Sequence, residues 1–400
     1  MTVEPIGWVT LIVGLLGLYL ERSFMVYAFF ASTLLGAAAA LIVYDLGGTT
    51  IQPAHLLLGF LSIKLISSRD IREGALRSIN FGQPGFWLLL TVVYGAITAY
   101  LLPRFFFGET MTFIVRMRGE SSAMPLVPST SNLTQSVYFI GDFIAFVVVS
   151  GFGSSASGQK TLARAALGCV ILNLFFVAAD LITYFTNTTD IMQYIRNSTY
   201  SNLSDAELVG FKRIVGSFVE ASSFGYWTLG YFAFSLTLWL NGIARQLTLS
   251  LSFLSLIALL FSTSTTAYVG LFGFLVCQYV ATGFQLFRSA RPQVASFVLA
   301  FPFITGLIVV LITLNDATAA YFGNILDTIV FNKLSTSSGI ERSTWNSQAM
   351  VNFADTFGFG VGNGSLRTSS FPIAVSPLVL HSGSGISHAP KRVRGLQSFR

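Results

Sequence analysis

Residues able to do chemistry are few in this chain, and they fall into three short stretches. Lys212 and Arg213 stand side by side, followed by Gly216, Phe218 and Glu220, just ahead of an apolar run starting near Phe224. Two adjacent cations beside a membrane, with a carboxylate almost at the hydrocarbon boundary, suit a pyrophosphate carried on a lipid. Arginine matches phosphate oxygens in a bidentate fork and lysine supplies a point charge. The same cations would also serve to anchor a helix to acidic head groups. The second stretch is Ser262-Thr263-Ser264-Thr265-Thr266 between two apolar runs. Five consecutive hydroxyls could hydrogen-bond a sugar or phosphate, or satisfy the backbone at helix ends. The third holds Gly339, Glu341, Arg342 and Trp345, then a glycine-rich segment from Phe357 to Gly364, then Arg367. Its glycines give a turn that β-branched residues cannot adopt, and Arg342 and Arg367 flank it as candidate ligands of one anion.

Other signals fail on spacing. Gly360-x-Gly362-x-Gly364 has the wrong spacing for a dinucleotide fingerprint and no strand before it. Gly153 to Thr161 resembles a phosphate loop, but Gln159 intrudes before Lys160. His55 lies in an apolar run with no cluster of metal ligands around it, so no metal and no cofactor are expected. Cys169 and Cys277 sit in apolar runs as small hydrophobes. Asp142 and Asp180 fall inside apolar runs, where a carboxyl is expensive and often functional. Asn-x-Ser/Thr triplets at Asn132, Asn187, Asn197, Asn202 and Asn363 are expected by chance in so Ser/Thr-rich a chain.

The elements that must position these groups follow from composition. Of 400 residues, 53% are hydrophobic and only 10% charged, with 38 Phe, and mean hydropathy is +0.69. A soluble chain carries about 25% charged residues, and a disordered one needs low hydrophobicity with high net charge. Both classes are excluded. The net charge of +6 shows no clustered basic face of a nucleic-acid binder. The chain reads as all-α and integral to a membrane, with no cleavable signal peptide expected before the first apolar run.

A spanning helix needs about 20 mostly apolar residues. Such runs occur near 5–20, 24–44, 51–66, 84–102, 132–151, 161–183, 224–240, 247–261, 267–287 and 294–314. An eleventh begins near Phe371, giving about 10–11 spans. Alternate connections form two sets. The short set (21–23, 67–83, 152–160, 241–246, 288–293) carries ten Lys/Arg with its helix ends. The long set (45–50, 103–131, 184–223, 262–266, 315–370) carries nine over more than three times the length. Basic density assigns the short set to the cytoplasm, which turns the loops 184–223 and 315–370 outward. Each has helical periodicity. In 204–221, Leu208, Phe211, Ile214, Val215 and Phe218 follow a Ser204/Glu207 capping box. In 340–354, Ile340, Trp345, Ala349, Met350 and Phe353 do likewise.

Lys212-Arg213-x-x-Gly216-x-Phe218-x-Glu220 before a span, Ser262-x-Ser264-x-x-Ala267 between spans, then Arg342-x-x-Trp345 and Phe357-Gly358-x-Gly360-x-Gly362 resemble the O-antigen ligase/polymerase superfamily. Pro53-Ala54-His55 is similar to its exopolysaccharide members. The resemblance covers most of 1–375. It implies a C-type (GT-C-like) inverting membrane glycosyltransferase of the bacterial inner membrane. Such an enzyme joins a glycan from a polyprenyl diphosphate carrier to an acceptor hydroxyl at the outer face, for O-antigen or exopolysaccharide synthesis. On this resemblance Lys212, Arg213, Arg342 and Arg367 bind the diphosphate, Arg213 and Glu220 act in catalysis, and Ser262, Ser264 and Trp345 contact glycan or acceptor. Thr265 and Thr266 stand where many ligases carry an arginine, which favours polymerisation over ligation. Implied partners are the lipid-linked donor and acceptor, membrane lipids, and a chain-length regulator and flippase of the same pathway, with no nucleic acid. The alternative is a transporter or flippase of lipid-linked glycans, suggested by Asp142.

Residues 376–400 turn Ser/Gly/Pro/His-rich and basic, a composition expected to be disordered. An altered reading frame past 375 would account for it, and would leave the enzyme inactive.

Overall fold

Backbone in hydrocarbon must satisfy its hydrogen bonds within itself, so the apolar runs fold as helices. The computed structural model describes residues 1–365 apart from 45–47, 116–120, 200–206, 209–210, 289–290 and scattered positions between 317 and 336. Arg367 and the segment 376–400 lie outside the described residues. Among the described residues, five helices are long and apolar enough to cross a membrane: α5 (Pro84–Phe105), α6 (Thr130–Phe152), α7 (Ala156–Phe185), α10 (Thr265–Arg288) and α11 (Pro292–Thr313). Shorter apolar helices are α1 (Pro5–Tyr19), α3 (Pro53–Ile66) and α9 (Arg245–Phe261). The remaining described helices are α2 (Arg22–Thr33), α4 (Arg69–Ser78), α8 (Ala221–Leu240) and α12 (Ser337–Asp355). The protein is mostly helical and multi-pass.

Among the described residues, one expected helix is cut short and another is replaced, each for a local reason. The apolar run 24–44 is helical only to Thr33. Leu41–Val43 (β2) instead pairs antiparallel with Thr2–Val3 (β1) and with Thr49–Ile51 (β3). Between them, Leu34 and Ala37–Ala40 are fully buried by protein rather than lipid. Their backbone bonds other segments: Ala37 N donates to Ser217 O (3.1 Å), and Ala39 N to Asn197 Oδ1 (2.8 Å). The amphipathic helix expected over 204–221 is replaced by a hairpin of Glu207–Leu208 (β6) and Phe211–Lys212 (β7), then irregular chain. There the Asp180 carboxylate accepts from Val215 N (3.0 Å) and Gly216 N (3.1 Å), doing for the backbone what a helix would. Ile214, Val215 and Phe218 are buried all the same, against Cys169 and Val177 of α7, Phe224 of α8 and Ala258 of α9. The chain between α7 and α8 is therefore packed, and apart from a 3-10 turn at Thr189–Tyr194 its described part is not helical.

The helix expected over 340–354 is present as α12. Its C-terminal half docks on the hairpin Met111–Val115 (β4) and Ser121–Pro125 (β5). Thr110 Oγ1 donates to Asp355 Oδ2 (2.7 Å) and lies 2.8 Å from the Asn352 amide. The glycine turn after α12 packs against α5 and α6. Asn132 Nδ2 donates to Asn363 O (2.7 Å) and Ser365 Oγ (2.8 Å). Gly362 (φ +82°) and Gly364 (φ +79°) have no room for a side chain: an added Cβ would stand 2.5 Å from Thr98 O or from Ser131 O. We expect Gly362→Ala to cost about 1–3 kcal/mol from backbone strain alone, with the clash in addition. It should lower the thermal midpoint and raise hydrogen exchange through α12.

Candidate functional site

The first two stretches singled out by residue type meet where α7 ends, α8 begins and α9 passes into α10, and the third joins them only around Arg342. Asp180 is 1% exposed and sits five residues before the end of α7. A bare carboxylate buried so deeply would be costly, and four groups surround it. Arg196 Nη lies 2.7 Å away and Lys212 Nζ 3.0 Å away, beside the two backbone amides already described. Arg196 also donates through Nε to Gly216 O (2.9 Å). The cluster fixes residues 212–216, with Gly216 at φ +60°. Lys212 is therefore committed to Asp180, its side chain 2% exposed, and we remove it from the set of residues able to meet a phosphate. Its place in the sequence beside Arg213 is structural.

Arg213, next in the chain, points the other way. It is half-buried, and its Nε donates to Thr263 Oγ1 (3.1 Å) and its Nη to Thr263 O (3.4 Å). Burial pushes this guanidinium below its ordinary pKa, while the charges of Glu220 and Tyr268 pull it back. Arginine keeps its proton throughout, so the group is a lasting cation in a partly dry setting. Glu220 is the N-cap of α8 and accepts a hydrogen bond from Ser222 Oγ. The sequence-expected neighbours Arg213 and Glu220 are thus brought together electrostatically, without a direct ion pair among the described contacts.

The hydroxyl run divides between two jobs. Ser262 is fully buried and returns its hydroxyl to Leu259 O (2.7 Å). Ser264 is 2% exposed, with its Oγ 3.5 Å from the Ala267 amide at the start of α10. In the structure both finish helix ends. Thr263 carries Arg213 and holds φ +48°, a left-handed conformation costly for a β-branched residue and typical of functional sites. Thr265 and Thr266 line a cavity of about 340 Å³ with Gly339, Arg342, Ser343 and Asn346. Arg342 is exposed there; Trp345 is half-buried and is not among the lining residues. Arg213 does not line this cavity either. The two arginines reach the same five-residue segment, Arg213 at Thr263 and Arg342 beside Thr265 and Thr266.

The glycine turn lies elsewhere. From Arg342 to Asp355, α12 rises about 20 Å, so Gly360–Gly364 is far from Arg342. It borders a second cleft between α5 and α6 that includes Asp142. The third stretch is therefore split between two cavities. Sequence reasoning missed Arg196 and Asn346, and named Thr263 only as one member of the hydroxyl run. Arg196 is separated from Asp180 by a loop without periodicity, and no signal in the sequence pairs them. A left-handed threonine likewise has no signature. Among the described residues no group of His, Cys, Asp and Glu could hold a metal.

These features define a multi-pass membrane protein with two arginines and a set of threonine hydroxyls at one end of its helices. Comparison with known protein families, with curated proteins and with solved structures gives no match.

Proposed function

We propose that this chain is a bacterial inner-membrane glycosyltransferase, similar to the O-antigen ligase/polymerase superfamily, with about ten spans and the Thr263–Thr266 end facing outward. On this reading it polymerises glycan repeats carried on polyprenyl diphosphate for surface polysaccharide. The observation that carries it is that Arg213 hydrogen-bonds Thr263, while Arg342 lines a cavity with Thr265 and Thr266 of the same hydroxyl segment. Cations there can meet a diphosphate whose lipid lies alongside the helices, and the cavity beside Arg342 offers hydroxyls but no carboxylate.

In the proposed reaction the acceptor hydroxyl oxygen attacks the anomeric carbon, and the bond from that carbon to the diphosphate oxygen breaks with inversion. The hydroxyl proton passes to Glu220. The polyprenyl diphosphate departs with its charge countered by Arg213 and Arg342; aimed cations act most strongly where charge grows in the transition state. No nucleotide sugar or metal enters this scheme.

The purified protein in lipid vesicles, given a polyprenyl-diphosphate-linked repeat, should lengthen it in the presence of a chelator and release free carrier. A repeat that stays single under these conditions overturns the proposal. The alternative, a transporter or flippase, is favoured by Asp142 in its cleft, and predicts movement of the lipid-linked glycan across the vesicle without lengthening.

A further inference from the structure

The cleft between α5 and α6 has a chemistry of its own. It measures about 490 Å³ and is walled by Tyr94, Tyr138, Phe139 and Phe359, with Asp142 on its α6 side. That volume is the size of a small-molecule site and far too large for a bare metal ion. Asp142 lies twelve residues into a membrane-crossing helix, about 18 Å along its axis. A carboxylate exposed to hydrocarbon at such depth costs about 2.5–3.5 kcal/mol. Among the described residues it has no salt bridge and no hydrogen bond; His55 is near enough to feel its charge.

Three hydroxyls of the cleft have spent their protons. Thr91 Oγ1 donates to Trp87 O (2.8 Å), Thr98 Oγ1 to Tyr94 O (2.8 Å), and Tyr138 OH to Thr50 O (2.6 Å). What these oxygens can still offer a ligand is lone pairs. Gln135 adds an amide that can turn either end inward. None of the lining residues is Lys or Arg. Asp142 is the one charged group among the lining residues and repels an anion, and the donors left to a sugar are the Tyr94 hydroxyl and the amides of Gln135 and Asn363. A carboxylate, aromatic faces and spare acceptors together are the features that hold an organic cation, since ring faces attract ammonium groups.

We propose that this cleft binds an organic ammonium group, with Asp142 as counter-ion and Tyr94 and Phe359 as ring faces. The source of that group is either a soluble amine or the head group of an amino-lipid. The inference goes beyond the diphosphate reading and does not depend on it.

Ligand-observed NMR tests it, on full-length protein in nanodiscs of phosphatidylglycerol, which contains no amine. Choline should bind at least about tenfold more tightly than 3,3-dimethyl-1-butanol, its neutral isostere, the margin expected of a desolvated cation–π site. Asp142→Asn should erase that margin. Tyr94→Ala, at a position 61% exposed, should weaken choline several-fold without affecting folding, which a thermal melt would check. Repeating the titration with phosphatidylethanolamine in the nanodisc identifies the source. Competition in wild type but not in Asp142→Asn means a lipid head group; undiminished choline binding means a soluble amine. Equal binding of the isostere, wild-type binding by Asp142→Asn, or displacement of choline by an equal concentration of sodium would each overturn the proposal.

Discussion

Replacing Asp180 by alanine is expected to cost about 3–5 kcal/mol, the range for removing one partner of a buried charge cluster. Two cations with side chains 6% and 2% exposed would lose their counter-ion together. The amides of Val215 and Gly216 would lose their acceptor as well. Loss of folded protein in detergent, or a large drop in its thermal midpoint, is the measurement. Asp180→Asn should fall between, because an amide oxygen can still accept from the backbone but cannot neutralise Arg196 and Lys212. If Asp180→Ala melts like the wild type, the cluster does not hold this end of the helices together.

Replacing Arg213 by alanine should act on rate instead. Under the glycosyltransferase proposal it removes a cation aimed at the departing diphosphate, a loss of about 10²–10³ in turnover. Stability should change little, since its hydrogen bonds run to a single, partly exposed threonine. Arg213→Lys keeps the charge and loses the fork, and should be intermediate. Arg342→Ala should impair the same step, with a smaller effect because Arg342 is exposed and its charge is screened by water. Product length on a polysaccharide gel, read beside membrane insertion, separates the two kinds of effect. Full-length polymer from both alanine variants would remove the arginines from the reaction.

How far the sequence discloses this architecture differs from element to element. Helices α5, α6, α7, α10 and α11 were legible because each is a long apolar run that little interrupts. Apolarity alone does not distinguish burial in lipid from burial in protein, which is why Leu34–Val43 read as part of a span and proved to be a buried turn and a strand. Helical periodicity misled over 204–221 for a related reason. Ile214, Val215 and Phe218 are spaced as on a helix face, yet the irregular chain buries all three. The decisive group there is Asp180, whose partners lie 16 to 36 residues away. For the candidate site, residue type identified the hydroxyl run and its arginines. It could not tell that Ser262 and Ser264 turn inward while Thr263 meets Arg213 and Thr265 and Thr266 line a cavity with Arg342. Nor could it tell that a rigid α12 separates Arg342 from the glycine turn.

The amide of Asn132 has a practical bearing on production of the protein. Its nitrogen is held by Asn363 O and Ser365 Oγ, and the residue is 6% exposed. Asn132 and Asn363 each open an N-glycosylation triplet. In a eukaryotic host, glycan attachment as the chain emerges would place a bulky group on the very nitrogen that receives the turn, and the turn could not close on α6. Material made in such cells should be heterogeneous and poorly folded, and a host lacking the modification should give a single, folded species.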